Sequence, residues 1–178
     1  MSGIRVIAGK ARGVRLKQID ASITRPISDR VKEALFNIIG SDIIGSRMLD
    51  MFAGTGSVGI EALSRGASYV VFLDINSKAI DMVNRNLSVT KLSDIGLVRQ
   101  TDAFEYLDNS AREKFDYIYI APPQYNGLWI SALEHVDNNL QCMSNDGWVI
   151  VQMDPTEFNE YDFKNLYIFD KRQYGNTL

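Results

Sequence analysis

The hydrophobic positions of the chain change period along its length, and those changes define the elements. Residues 28–39, SDRVKEALFNII, place Val31, Ala34, Leu35 and Ile38 at i, i+3, i+4 and i+7, one face of a helix. Ser28 suits its N-cap and Gly40 its stop. Short apolar runs then alternate with helical ones. RMLDMF (47–52), SYVVFLD (68–74), GLVRQTD (96–102), FDYIYI (115–120) and GWVIVQM (147–153) read as strands. SVGIEALSR (57–65), SKAIDMVNRNLSV (77–89), AFEYLDN (103–109) and GLWISALEHVDNNL (127–140) read as helices. Strands apolar on both faces and separated by helices predict a parallel sheet covered on each side, a doubly wound, Rossmann-like α/β domain. Past Met153 the pattern loosens. DPTEFNEYDF is loop-like, LYIFDKRQ is a candidate further strand, and Gly175-Asn176 suits a hairpin turn whose second strand has barely begun at Leu178.

Composition narrows the classes. The 178 residues, 46% of them hydrophobic, supply the core of one compact domain. No apolar run approaches the roughly 18 residues that span a bilayer, and MSGIRVIAGKARG lacks the apolar centre of a signal peptide. A cytoplasmic monomer without a membrane partner is expected. With one cysteine (Cys142) and one histidine (His135), an internal disulfide is impossible and no metal is expected.

Charge is unevenly spread. Residues 1–32 hold eight basic side chains against two acidic ones, a net +6; because the whole chain carries −3, the remainder carries −9. In RVIAGKARGVRLKQ the basic residues alternate with small and apolar ones, and Gly9 and Gly13 suit a twisted hairpin. We read residues 1–22 as a basic extension and 23–178 as the main domain. Arg5, Lys10, Arg12, Arg15 and Lys17, followed by Arg25 and Arg30, suit the phosphates of a nucleic acid. A solvated tail is the alternative reading. Pro26 either starts the first helix or, with Thr24 and Arg25, borders the cleft.

The strand at 47–52 runs into LDMFAGTGSVGIEAL, where Gly54, Gly56 and Gly59 fit G-x-G-x-x-G between a strand and a helix. Asp74 ends the second strand 20 residues after Gly54. A carboxylate so placed accepts hydrogen bonds from ribose hydroxyls, which points to an adenosine-containing cofactor. A dinucleotide brings a pyrophosphate to the helix N-terminus, whereas S-adenosylmethionine (AdoMet) brings an ammonium and a sulfonium, and acidic residues near the turn favour the latter. Asp50 is placed to receive the ammonium. Asp102 either accepts from the adenine amine or caps the helix beginning at Ala103, and the two roles are compatible. The candidate cofactor set is Asp50, Phe52, Ala53, Gly54, Thr55, Gly56, Ser57, Gly59, Asp74, Ile75, Asp102 and Ala103.

DMFAGTGSVGIEALSRGA, RVIAGKARGVRL, TRPISDRVKEALFNII and a Pro-Pro turn after the fourth strand together resemble the RsmD family. The resemblance covers nearly the whole chain. It implies a class I AdoMet-dependent methyltransferase with strand order 3-2-1-4-5-7-6, an antiparallel last strand and an RNA-holding N-terminal extension. It also implies transfer of a methyl group to the exocyclic N2 of one guanine in bacterial 16S ribosomal RNA, in a 30S subunit or its assembly intermediate.

Families of this kind end the fourth strand in Asp or Asn, then Pro-Pro, then Tyr or Phe. The rigid prolines and the acceptor orient an amine whose lone pair is otherwise delocalised, while the aromatic residue stacks on the splayed base. Here the stretch is Ala121, Pro122, Pro123, Gln124, Tyr125. Ala121 has no acceptor and the aromatic is displaced by one. Three readings stay open: Gln124 supplies the amide oxygen with Tyr125 as platform; the Pro122 carbonyl suffices; or the chain is a weakened or inactive AdoMet- and RNA-binding relative. A nicotinamide-dependent oxidoreductase would need a substrate domain or proton donor that the chain lacks. A DNA amino-methyltransferase would need a large target-recognition domain. Trp129 and Trp148 read as packing residues, with the substrate cleft as the alternative for Trp129, while Cys142 reads as a small hydrophobe and His135 as a solvated or edge residue without chemistry.

Overall fold

Five parallel strands realise the five apolar runs: β1 (Arg47–Asp50), β2 (Tyr69–Asp74), β3 (Gly96–Gln100), β4 (Phe115–Ile120) and β5 (Met143–Val151). Their order is β3-β2-β1-β4-β5. The computed structural model describes residues 4–18, 27–109, 113–124 and 127–178. Five α-helices connect and cover the strands: α1 (Asp29–Ile39), α2 (Ser57–Arg65), α3 (Ser77–Thr90), α4 (Ala103–Asn109) and α5 (Leu128–Asn138). α1 starts and stops where its sequence says: the Ser28 hydroxyl accepts from the Val31 amide, and Gly40 follows with a φ of 65°.

Side-chain alternation divides the core into two layers. Met48, Val70, Phe72, Tyr117 and Tyr119 point to the layer built by Phe36 of α1, Ile60 and Leu63 of α2, and Val83 and Leu87 of α3. Leu49, Val71, Leu73, Ile118 and Ile120 point to Ala103 and Leu107 of α4 and to Ala132 and Val136 of α5. Each fully buried aliphatic side chain contributes about 1.5–3 kcal/mol, so both layers hold the sheet. The chain leaves β1 toward β2 and β3 and returns on the other side as β4. A crevice therefore opens at the carboxyl ends of β1 and β4, where sheets of this type bind ligands.

Two expectations are corrected. The implied strands six and seven are not formed among the described residues, and LYIFDKRQ is not a strand. Asp137, at the end of α5, holds the chain at the start of this stretch: its carboxylate accepts from the amides of Lys164, Asn165 and Leu166 at 2.9, 2.7 and 3.0 Å. The following Tyr167 is 84% exposed. What survives of the pattern is a tight turn closed by Tyr174 and Thr177, with Leu178 and Met153 exchanging both backbone hydrogen bonds. Along the open edge of β5 runs a hollow of about 970 Å³, lined by Trp148, Ile150, Tyr161 and Phe169 and floored by Trp129. Trp129 is buried there with its ring edge-on to Tyr161, as a packing residue.

The second correction concerns Lys32, counted above with the basic arm. Its ammonium is wholly buried, because α1 turns that face onto α2. Among the described residues, no helix is long and apolar enough to cross a membrane.

The third glycine of the turn serves packing. α2 lies so close to β2 that a Cβ on Gly59 would sit 2.3 Å from Cε1 of Phe72. Gly59→Ala is expected to cost about 1–3 kcal/mol by overpacking. Urea denaturation checks this, and an unchanged midpoint would mean that α2 shifts freely.

Candidate active site

The site grows from the end of β1. Asp50 is its last residue and is 1% exposed, with the backbone N–H groups of Phe52 and Gly59 facing its carboxyl. Its Oδ1 has no hydrogen-bond partner. Burial, reinforced by the negative charge of Asp74, pushes its pKa up to about 7. A buried carboxyl with an orphaned oxygen is costly to keep, and it is held at the mouth of the turn.

The turn itself is tied down strand by strand. The Ala53 amide donates to the Leu73 carbonyl at 2.8 Å, and the Gly56 amide to the Ala53 carbonyl at 2.7 Å. Gly54 and Gly56 have φ of 54° and 73°, the left-handed region open to glycine. The Gly54 amide donates to Oδ2 of Asp74 at 2.9 Å, and the Asn76 amide to Oδ1 at 2.9 Å. Asp74 thus draws the turn to the tip of β2, while Asn76 caps α3. Ile75 beside it is 70% exposed, a large apolar side chain left in solvent at the rim. Thr55 and Ser57 are buried under the turn.

Asp102 caps α4, its Oδ1 accepting from the amides of Phe104 and Glu105 at 2.8 and 3.2 Å. Ala103 is buried behind it. Phe52 meets Phe104 edge-on at 6.4 Å, and Phe104 in turn lies 4.5 Å from the ring of His135, so His135 is a neighbour of this wall through packing.

The proline ledge leaves β4 on the other side of β1. The Met51 amide donates to the Tyr119 carbonyl at 3.0 Å, and the Gln152 amide to the Ile120 carbonyl at 2.9 Å, so the backbone is clamped up to the residue before Ala121. The Tyr119 hydroxyl donates to Oε1 of Gln152, which braces β4 against the chain leaving β5. Ala121, Pro122 and Gln124 are half-buried and Pro123 is exposed. Tyr125 lies outside the described residues, as do Thr24, Arg25 and Pro26.

The N-terminal extension is the hairpin its pattern predicts. Backbone bonds join Leu16 to Ile4 (2.8 Å) and Val6 to Val14 (2.9 Å). Ile4, Val6, Ala11 and Leu16 are buried, whereas Arg5, Lys10, Arg12, Arg15 and Lys17 are exposed, as is Arg30 on α1. Arg5 is paired with Asp29 at 3.0 Å.

What docks the hairpin was not read from sequence. The buried Glu61 carboxylate on α2 accepts from the amides of Ile7 and Ala8 at 2.7 and 3.0 Å and from Nε of Arg65 at 2.7 Å. It lies 3.7 Å from Nζ of Lys32, which donates to the Arg5 carbonyl at 2.7 Å. Ser64 bridges the Ala11 amide and the Ala8 carbonyl. Gly9 passes so near α2 that a Cβ would overlap the Ser64 carbonyl. Asn86 of α3 holds the backbone of Lys17. The available signal was a charged or amide side chain inside an apolar stripe: Glu61 between Ile60 and Ala62, and Asn86 between Val83 and Leu87.

The sequence and the fold match those of known proteins. The family model described as Conserved hypothetical protein 95 matches residues 4–178. The Bacillus subtilis protein YlbH is 36% identical over 98% of this chain and 95% of its own length. Ribosomal RNA small subunit methyltransferase D of Haemophilus influenzae is 36% identical, covering 76% of this chain and 72% of its own. The solved structure of Escherichia coli yhhF superposes with a TM-score of 0.86 at 25% identity, over 99% of this chain and 94% of that one. The chain belongs to this family, the RsmD family of AdoMet-dependent ribosomal RNA methyltransferases.

Proposed function

We propose that the chain transfers a methyl group from AdoMet to the exocyclic N2 of a guanine in 16S ribosomal RNA. The observation that carries this reading is the Pro122-Pro123 ledge, leaving the clamped end of β4, beside a turn whose buried Asp50 has an orphaned oxygen. That oxygen fits a cationic ligand group, and Ile75 next to the Asp74 carboxylate fits an adenine over a ribose. When bound, AdoMet supplies an electrophilic methyl group on a sulfonium. Asp50 would hold the ammonium, Asp74 the ribose hydroxyls and Asp102 the adenine amine. Phe52, Ala53, Gly54, Thr55, Gly56, Ser57, Gly59, Ile75 and Ala103 would form the walls.

On the substrate side, Gln124 and the Pro122 carbonyl would accept from the two N–H groups of the amine and orient its lone pair. Tyr125 would stack on the base. No general base is needed before attack, because the alkylated nitrogen is acidic and releases its proton to water. Arg5, Lys10, Arg12, Arg15, Lys17, Arg25 and Arg30 would meet phosphates, giving affinity that falls with salt. RNA folded in a 30S particle or assembly intermediate is the proposed partner.

Mass-spectrometric mapping of 16S RNA treated with the protein and AdoMet tests the assignment: N2-methylguanosine at one position is expected, and methylation of another base would overturn it. Gln124→Ala is expected to lower turnover about tenfold to a hundredfold, one lost hydrogen bond of roughly 1–3 kcal/mol, with AdoMet affinity unchanged. Unaltered turnover would leave the Pro122 carbonyl as the acceptor. Ala121 favours a second reading, a slow relative; a rise in turnover in Ala121→Asp would support it.

A further inference from the structure

We propose that Asn86 is a positioning residue that holds the RNA-binding arm and the cofactor turn in one register, an inference that rests on the methyl-transfer reading above. Asn86 lies on α3, fully buried, with the buried side chains of Val83 and Leu87 on either side. Its amide is saturated by two distant segments. Oδ1 accepts from the Lys17 amide at 2.8 Å, and Nδ2 donates to the Lys17 carbonyl at 3.0 Å and to the Thr55 carbonyl at 2.9 Å. One rigid group thus bonds the end of the basic hairpin and the centre of the glycine turn, 69 and 31 residues away in sequence.

The consequence follows from what each segment does. Lys17 extends its side chain into solvent while its backbone is pinned. Thr55 sits between two glycines in left-handed conformation, a stretch with little stiffness of its own. Neither end can shift without displacing the amide that holds the other. Methyl transfer is sensitive to alignment, and displacement by about 1 Å costs on the order of a hundredfold in rate while leaving ground-state contacts largely intact. A residue that keeps the phosphate anchor and the methyl donor in register therefore acts on turnover more than on binding.

The test pairs an α3-side change with an arm-side change. Asn86→Ala removes the shared amide. Lys17→Pro removes the arm's N–H, leaving α3 and the turn with all their atoms, and Lys17→Ala is its control for the lost charge. In the ligand-free protein, hydrogen exchange of the amides of residues 53–56 is expected to accelerate in both Asn86→Ala and Lys17→Pro, and not in Lys17→Ala. Acceleration confined to the arm in Lys17→Pro would overturn the link, and this variant decides the matter should Asn86→Ala not fold. In kinetics with 16S RNA, the kcat of Asn86→Ala is expected to fall about tenfold or more, with the Kd for AdoMet and the KM for RNA within about threefold. A fall in RNA affinity with unchanged kcat would make Asn86 a mere anchor and refute the proposal. Absence of methyl transfer by the unaltered chain would instead sink the functional reading, and the exchange result would still stand on its own.

Discussion

Asp50→Asn is expected to make the protein more stable above pH 7 and to weaken its hold on AdoMet. The sign follows from the carboxyl's two environments. Unfolded, it titrates near 3.8; folded, burial raises it to about 7. Between those values the folded state keeps a proton that the unfolded state has released, so stability is full below pH 3.8 and is lost as pH rises to 7. The difference of about three pKa units corresponds to about 4 kcal/mol of sacrificed stability at pH 8. Asparagine never ionises, so urea midpoints of the variant should exceed those of the parent at pH 8 and match them near pH 4. Affinity for a cationic ligand has the opposite dependence: the parent binds AdoMet more weakly as pH falls below about 7, and the variant binds weakly throughout. Identical pH profiles for the two proteins would show that Asp50 is not the group that titrates.

Removing Glu61 is expected to be the most damaging single change to the fold. In Glu61→Gln the ammonium of Lys32 is left buried without its counter-charge, a loss on the order of 3–5 kcal/mol. The reverse variant should cost less. Lys32→Met leaves the Glu61 carboxylate with two backbone amides and Arg65, so about 1–3 kcal/mol is expected. Desolvation already lowers the pKa of Lys32, with Glu61 the foremost group opposing that shift. Without Glu61 the folded state sheds the Lys32 proton more readily than the unfolded state, so the deficit of Glu61→Gln should shrink as pH rises toward the ordinary lysine value of 10.5. Limited proteolysis should cut the hairpin at residues 4–16 in this variant and not in the parent. Should Lys32→Met prove the costlier change, the carboxylate's amide contacts are not what seats the hairpin.

Much of the architecture was legible because it rests on local pattern. Short continuous apolar runs and the glycine turn are properties of neighbouring residues, and the observed sheet order β3-β2-β1-β4-β5 brings Gly54 to Asp74. The C-terminal segment shows the limit of such reasoning. Tyr167, Ile168 and Phe169 have the composition of a strand, yet they stay exposed and form none, while Asp137 holds the amides just before them, a long-range contact that composition does not show.

Sequence by itself determined the α/β alternation, the position of the glycine turn between β1 and α2, the acidic residue ending β2, and the proline break after β4. Each depends on side-chain period or on backbone freedom within a few residues. Only the tertiary structure decided that Lys32 belongs to the interior, that Glu61 and Ser64 seat the hairpin, and that Asn86 joins Lys17 to Thr55. Those are contacts between segments up to 69 residues apart, and a buried polar side chain finds its partner only once the apolar layers around it have closed.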